Sequence, residues 1–444
     1  MTTLTLAIVI VFVLGYLCIA LESGLKINKA AIALLMCVGC WTLFMVDPGS
    51  YLHGAVENIT LMVSEVLKNH LGETSETLFF LMGAMTIVEI VDKNGGFNFV
   101  RDTMMTTNKR SLMWRIAFMT FFLSAILDNL TTSIVMIMVL RKLVFDRNDR
   151  MKYAALVIIA ANSGGAFSPI GDVTTIMLWI KGMITTKGVL TEIFLPSLVS
   201  MVVPAFIMQY MFKGQLAMPK GDNEVQKAVF SQKQRHAIFF LGVGGLIFVP
   251  IFRYLTNLPP FMGILLVLGL LWSATEWFYR GVPQQKDGFS QRVSKLLCNI
   301  DLSTILFFLG ILMAVACLEE VGVLTSLGKG LDSVSGGNHY LVTGVIGVIS
   351  SIVDNVPLVA GCMGMYPIAE VGDFAVDGVF WQLLAYCAGV GGSMLIIGSA
   401  AGVVVMGLEK ITFGWYLRHI TWIVFVGYLA GMATYWFWRT LLFA

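Results

Sequence analysis

Apolar runs about as long as a membrane span alternate along this chain with shorter polar connections. A helix that crosses a bilayer needs ~20 mostly apolar residues. Residues 51–73 are amphipathic instead and are predicted to lie at the membrane surface. The pattern therefore predicts an all-α integral membrane protein with ten spans, at residues 4–21, 30–46, 77–92, 153–180, 188–212, 236–254, 258–280, 301–322, 378–408 and 420–441.

Composition agrees with a membrane protein. Of the 444 residues, 57% are hydrophobic and 13% are charged, whereas soluble proteins carry about 25% charged residues. So few charges cannot coat a water-soluble fold of this size, which excludes a soluble enzyme, a disordered chain and a nucleic-acid-binding protein. We expect the lipid bilayer as a partner, no nucleic acid, no enzymatic activity and no resident cofactor.

The Lys and Arg residues are distributed unevenly between the connections. One set of connections holds 23 of the 29 basic residues, and such an excess marks the cytoplasmic side. Both chain termini are then predicted to lie outside. The cytoplasmic set comprises residues 22–29, 93–115, 141–152, 213–235, 280–300 and 409–419.

The two halves of the chain resemble each other. Ser-Ala-Ile-Leu-Asp-Asn at 124–129 matches Ser-Ser-Ile-Val-Asp-Asn at 350–355, 226 positions later. Phe-Phe-Leu recurs at 79–81 and 307–309, and the glycines at 164, 165 and 171 recur at 391, 392 and 398. We therefore predict a first repeat at 1–212, a cytoplasmic linker at 213–235 and a second repeat at 236–444.

Two further apolar stretches, 116–140 and 340–365, are predicted to be re-entrant helical hairpins. Basic residues flank the first stretch at both ends, and mainly acidic residues flank the second. Each stretch therefore enters and leaves on one side, with Asp128 or Asp354 at its tip. Five spans plus one hairpin per half make the second repeat inverted, an arrangement typical of secondary transporters.

The span that follows each hairpin is predicted to be a broken helix. Residues 162–175 and 389–402 are rich in Gly and hydroxyl side chains, and Pro169 interrupts the first of them. Unwound backbone at membrane depth occurs where it is buried in protein or lines a cavity. Close helix packing by small residues is the alternative interpretation for the glycines.

Asp128, Asp172 and Asp354 lie deep in apolar sequence, with no Lys or Arg at comparable depth. An ionised carboxylate there is costly unless it is paired, so we predict that these groups bind a proton or a metal cation. Hard cations prefer carboxylate, amide and hydroxyl oxygens. The predicted oxygen donors are Asn129, Thr132, Asn162, Ser163, Thr174 and Thr175 in the first half and Asn355 and Ser393 in the second.

Competition between Na⁺ and H⁺ for the same carboxylates would produce exchange directly. Each Asp could alternatively be a structural cap at the N-terminus of a half-helix. Glu89, Glu319 and Glu320 lie near span ends. They are candidates for access or pH sensing, with ordinary solvated span ends as the alternative.

The motifs at 124–132, 162–175 and 354–358 together resemble the NhaD-type sodium/proton antiporters of the ion transporter superfamily. The resemblance implies a homodimer in a bacterial inner membrane that exchanges Na⁺ or Li⁺ for H⁺ by an elevator mechanism. It implies a cation site at Asp128, Asn129, Asn162, Asp172, Asp354 and Asn355. It also carries over the polar positions Thr174, Thr175 and Ser350.

A sodium-coupled dicarboxylate symporter of the same fold is the main alternative function, although an Asp at each hairpin tip would repel the anion. An arsenite exporter is less favoured, because no Cys lies at a hairpin tip. An intramembrane aspartyl protease would need a Gly-x-Gly-Asp motif, and position 169 is Pro.

Overall fold

The computed structural model describes residues 3–20, 27–52, 59–96, 103–216, 230–280, 292–352 and 354–442. The described part of the chain is almost entirely helical and contains no β-strand. The predicted all-α architecture is therefore confirmed. Most of the predicted linker 213–235, namely residues 217–229, lies outside the described residues.

The helices of the first half are α1 (Thr3–Ala20), α2 (Lys29–Phe44), α3 (Ile59–Lys93), α4 (Lys109–Leu127), α5 (Asn129–Leu143), α6 (Arg147–Ala166), α7 (Val173–Ile180), α8 (Thr186–Glu192) and α9 (Phe194–Met208). Those of the second half are α10 (Gln232–Thr256), α11 (Pro260–Arg280), α12 (Val293–Leu296), α13 (Leu302–Glu320), α14 (Val323–Ser335), α15 (His339–Ser350), α16 (Asn355–Met365), α17 (Val379–Gly391), α18 (Ala400–Glu409), α19 (Phe413–His419) and α20 (Thr421–Leu442).

The boundary predicted between a surface segment at 51–73 and a span at 77–92 is wrong. Residues 59–93 form one helix, α3, because no proline interrupts them. At 1.5 Å per residue its 35 residues extend about 52 Å, whereas a bilayer core is about 30 Å thick. One end of α3 therefore projects well beyond the apolar layer.

Six helical stretches of the described chain are long and apolar enough to cross a membrane, or seven if the bent pair α19–α20 counts as one span. Ten spans are predicted from sequence. Four predicted spans are missing, because α1 and α2 are short and because 153–180 and 378–408 each consist of two helices. The predicted span 420–441 counts only as part of the bent pair, and one of the six stretches is α4, which lies in the predicted hairpin. Breaks inside the spans divide apolar stretches that hydropathy alone joins.

Helices α4 and α5 are the two arms of a re-entrant hairpin. A single residue, Asp128, separates them. Lys109 at the start of α4 and Leu143 at the end of α5 line one cavity of about 540 Å³, so both arms end on the same side. Helices α15 and α16 pair in the same way, since His339 and Tyr366 at their outer ends both pack on the ring of Phe374.

The helix boundaries repeat between the halves. Helices α7, α8 and α9 begin at residues 173, 186 and 194, and α18, α19 and α20 begin 227 positions later at residues 400, 413 and 421. Hydrogen bonds repeat as well, because Ser124 donates to the carbonyl of Ala161 (2.6 Å) and Ser350 to that of Ala388 (2.9 Å). The two halves therefore share one architecture.

The first arms of the two broken helices form the centre of the molecule. Residues 153–166 of α6 and all of α17 are buried, as expected for helices that are apolar on every face. The helices meet closely, because a Cβ atom added at Gly389 would lie 3.1 Å from Cβ of Ala166. This crossing brings the two breaks, one from each half, close to each other.

Candidate cation site

Each broken helix restarts at a polar cap. After the break at residues 167–172, the side chain of Asp172 caps the N-terminus of α7. After the break at 392–399, Ser399 caps α18 in the same way. Side-chain oxygens at helix N-termini satisfy backbone N–H groups that have no partner within the helix. The repeat therefore places an acid in one half where the other half has a neutral hydroxyl.

The Asp172 carboxylate is buried and hydrogen-bonded on both oxygens. Thr174 donates to Oδ1 from its backbone N–H (3.1 Å) and from its hydroxyl (3.0 Å). Asn129, at the tip of the first hairpin, donates to Oδ2 from its amide nitrogen (2.8 Å). The carboxylate thus connects the hairpin tip to the broken helix.

Asn162 joins the two halves of the molecule. Its Oδ1 accepts a hydrogen bond from Asn129 at 3.1 Å. Its Nδ2 donates to the hydroxyls of Ser393 and Ser399, both at 2.9 Å. Because all four side chains are buried, the network lies at the crossing of the two broken helices. Carboxylate, amide and hydroxyl oxygens of this kind are suitable ligands for a hard monovalent or divalent cation.

Asp128 occupies a turn that L-residues rarely adopt. Its φ is 79° and its ψ is 160°, a region populated mainly by glycine. The carboxylate accepts hydrogen bonds from the N–H (2.8 Å) and the hydroxyl (2.9 Å) of Thr131 and thereby caps α5. The carboxylates of Asp128 and Asp172 are close enough to repel each other electrostatically when both are ionised.

Asp354 caps α16 at the tip of the second hairpin, where it accepts a hydrogen bond from the N–H of Val356 (3.3 Å). The expectation that no basic group lies near it is wrong. Lys29 Nζ at the start of α2 is 3.2 Å from Asp354 Oδ2. Because 325 positions separate the two residues, only the tertiary fold reveals the pair. Asp128 and Asp172 form no comparable pair within the described ranges.

The remaining predicted oxygen donors are placed as follows. Ser163 accepts a hydrogen bond from Ser200 (3.0 Å), and Ser350 bonds to a backbone carbonyl in α17. The hydroxyls of Thr132 and Thr175 are buried without a hydrogen-bond partner among the described residues. Asn355 is buried in the first turn of α16. The structure thus joins Asn129, Asn162, Asp172, Thr174 and Ser393 in one network and leaves the two tip carboxylates outside its hydrogen bonds.

The three glutamates at span ends lie away from this network. Glu89 pairs with Lys93 one turn along α3 (3.7 Å). Glu320 contacts the ring of His70 (2.8 Å), and Glu319 lies beside Gly364.

The sequence predicts Ser399 only as a weaker candidate, because the second broken span matches the family motifs less clearly than the first. Lys29 is absent from the predicted set. No local signal indicates Lys29. Within the ranges that the structure describes, no cluster of three or more His, Cys, Asp or Glu could hold a metal. A cation site here would therefore depend on single carboxylates supplemented by amides and hydroxyls.

Paired re-entrant hairpins, paired broken helices and a polar centre at their crossing define a multi-pass membrane transporter. The family model described as "Citrate transporter" matches residues 16–383. Sodium/proton antiporter 1 of Arabidopsis thaliana is 45% identical over 97% of this chain and 72% of its own length. The Na⁺/H⁺ antiporter NhaD of Alkalimonas amylolytica is 29% identical over 96% of this chain and 89% of its own length.

The chain therefore belongs to the citrate-transporter family and to the sodium/proton antiporters of the NhaD type. The predicted resemblance is confirmed. The crystal structure of the YdaH transporter of Alcanivorax borkumensis shares the fold, with a TM-score of 0.62 over 94% of this chain and 99% of that chain. At 11% identity this likeness concerns the fold alone.

Proposed function

We propose that this protein exchanges Na⁺ or Li⁺ for H⁺, with buried aspartates that bind cation and proton in turn. The buried network at Asp172, where oxygen donors from both halves meet, is the observation that carries the proposal. Its relatives named as sodium/proton antiporters support the choice of ions. A resident cofactor has no part in the proposed cycle, and no chemical reaction is proposed.

Exchange follows from competition for one set of oxygens. An ionised carboxylate buried in a membrane protein needs a compensating positive charge. A proton and a Na⁺ ion can each supply this charge. Electrostatic repulsion between Asp172 and each of the two hairpin-tip carboxylates also disfavours a state in which all three groups are ionised. Loading of the cation on one side therefore releases protons there, and protonation on the other side releases the cation.

Alternating access is proposed to occur by an elevator motion. The hairpins and broken helices would move together, because Asn129, Asn162 and Ser393 link them through hydrogen bonds. Helices α10 and α11 would belong to the static part, since only 28% of the most apolar stretch of each helix is buried inside the protein. We propose that a second copy of the chain packs against part of that surface to form a homodimer. The proposed location of the protein is a bacterial inner membrane.

The experiment is a ΔpH assay in everted inner-membrane vesicles from bacteria that express the protein. Addition of Na⁺ or Li⁺ should dissipate a preformed proton gradient, and K⁺ should not. Substitution of Asp172 by Asn keeps the size of the side chain but removes its charge. We expect D172N, D128N and D354N each to reduce the response to the level of vesicles that lack the protein.

A matched control separates cation binding from helix capping. Asp301 caps α13 with bonds to the N–H (3.1 Å) and hydroxyl (2.6 Å) of Thr304, the same arrangement that Asp128 makes with Thr131. Asp301 lies at the membrane surface by the predicted topology. D301N should keep full exchange. Full exchange in all three site variants would refute the proposed roles of the aspartates.

The family model described as "Citrate transporter" supports a second candidate function, which is sodium-coupled transport of a di- or tricarboxylate. The same vesicles test it when citrate or succinate replaces chloride. A proton-gradient response that requires the organic anion would favour the symporter. A response to NaCl alone would favour exchange.

A further inference from the structure

Lys29 occupies an unusual position for a basic residue. It stands in the first turn of α2, where the helix dipole disfavours a positive charge. Asn28 caps this helix and also accepts a hydrogen bond from Ser303 near the start of α13 (3.1 Å), which holds the end of α2 in place. The ammonium of Lys29 is therefore fixed beside the tip of the second hairpin, and the Asp354 carboxylate offsets its unfavourable location.

The surroundings of the ammonium resemble those of a bound cation. The nitrogen lies 3.2 Å from Asp354 Oδ2 and 4.3 Å from the centre of the Phe307 ring, whose face attracts positive charge. The hydroxyl of Tyr16 lies within electrostatic range of Asp354. This oxygen is buried without a hydrogen-bond partner among the described residues. A carboxylate and an aromatic face thus converge on one positive charge.

The two hairpin tips differ in this respect. Asp128 stands 226 positions before Asp354 in the repeat, and its carboxylate bonds only to the start of its own helix α5 within the described ranges. The ion pair is therefore not a requirement of the hairpin fold. It is a feature of the second half alone, and it connects that hairpin tip to α2 in the first half.

We propose that Lys29 is an internal cation that competes with Na⁺ for Asp354. In the conformation described here its ammonium neutralises the carboxylate. Binding of Na⁺ by Asp354 requires that the ammonium withdraw. Lys29 is thus a positioning residue that sets the Na⁺ concentration needed for loading, and it joins the hairpin tip to α2 while the carboxylate carries neither Na⁺ nor a proton. The inference rests on the proposed exchange function.

The test compares wild type with K29Q in the vesicle assay, at constant ionic strength maintained with choline chloride. Removal of a competing cation should lower the Na⁺ concentration for half-maximal exchange. The pair is partly exposed, so we expect a decrease of about two- to fivefold. The maximal rate should remain within about twofold of wild type. The same decrease should appear in the Na⁺ concentration that half-maximally raises the melting temperature of the purified protein.

Three variants complete the design. K29R keeps the positive charge and should retain the wild-type Na⁺ dependence. K29M keeps an unbranched stem over Phe307 without the charge and should behave as K29Q does, which provides the test if K29Q does not fold. K93Q removes a lysine that pairs with Glu89 on the exposed surface of α3 and should change nothing.

Equal half-maximal Na⁺ concentrations in wild type and both neutral variants would overturn the role of Lys29 while exchange itself stands. A decrease of the same size in K93Q would also overturn it, because the effect would then be one of general surface charge. If wild type neither exchanges Na⁺ nor is stabilised by it, the proposed function fails and the inference fails with it.

Discussion

At the scale of single residues, the site combines a carboxylate in a strained turn with one in relaxed backbone. Asp128 has a positive φ and an extended ψ, and such a conformation costs about 1–3 kcal/mol in a residue with a side chain. Asp172 has φ −145° and ψ 143°, which any residue adopts. Asp128 is partly buried, so its carboxylate stands at the hairpin tip at a cost in stability.

The strain leads to a prediction for D128G. Glycine adopts this turn without penalty and costs only a few tenths of a kcal/mol as a cap. We expect D128G to raise the melting temperature of the purified protein, equivalent to about 1–2 kcal/mol, while exchange is lost. D172G is the matched comparison and should lower the melting temperature. A melting temperature that falls in both variants would contradict the assignment of strain to Asp128.

The same scale explains which side chains could be predicted. Asp128, Asn129, Asn162 and Asp172 stand out in sequence because polar residues are rare in apolar runs. The hydrogen bonds that join Asn129 to Asn162 and to Asp172 could not be assigned, because these residues are 33 and 43 positions apart. Lys29 is the last residue of a predicted cytoplasmic connection that also contains Lys26, and nothing local distinguishes it from residues that face water.

At the scale of elements, the glycines of each repeat serve close packing. A Cβ atom at Gly164 would lie 2.1 Å from the carbonyl oxygen of Phe121, and one at Gly391 would lie 2.2 Å from that of Gly347. Each contact joins the first arm of a hairpin to the first arm of the broken helix that follows. The alternative interpretation from sequence, close packing by small residues, therefore holds for these glycines. The breaks themselves lie a few residues further along the chain.

The element scale also yields a prediction for G164A. Backbone atoms at 2.1 Å cannot yield as a flexible side chain would, so α4 and α6 must move apart. We expect a loss of about 1–3 kcal/mol, measured as a lower melting temperature, with weaker exchange. G269A in α11 provides the control, because nothing lies within 4 Å of its added Cβ atom. The control should be neutral or slightly stabilising, since alanine favours helix over glycine.

At the scale of the whole molecule, the halves are joined at both ends as well as at the centre. At one end, Glu409 of α18 accepts hydrogen bonds from Arg141 (2.7 Å) and Arg150 (2.5 Å) of the first half. At the other end, Asp377 of the second half accepts from the N–H (2.7 Å) and hydroxyl (2.6 Å) of Thr185. Residues 150 and 377 are themselves 227 positions apart. Arg150 and its equivalent Asp377 thus each contact the opposite half of the chain, as expected for two repeats around a shared axis.

Helices α10 and α11 also leave large apolar side chains exposed. Tyr254 and Leu255 of α10 and Trp277 of α11 are 84%, 68% and 71% exposed. Lipid or a second copy of the chain must cover them. We expect light scattering of the detergent-purified protein to give the mass of two chains. The G269A variant should give the same mass. A mass of one chain over the whole accessible concentration range would refute the proposed homodimer.

The sequence by itself determined the environment, the helical class and the repeat. Apolar runs require helices in lipid, where backbone groups must bond within their own segment, and the recurrence at 226–228 positions marks two copies. Tertiary structure alone decided the ends of the helices and the partners of the buried charges. It merged residues 59–93 into one helix, and it placed Lys29 on Asp354. Electrostatic energy depends on distance in space, which separation along the chain does not specify.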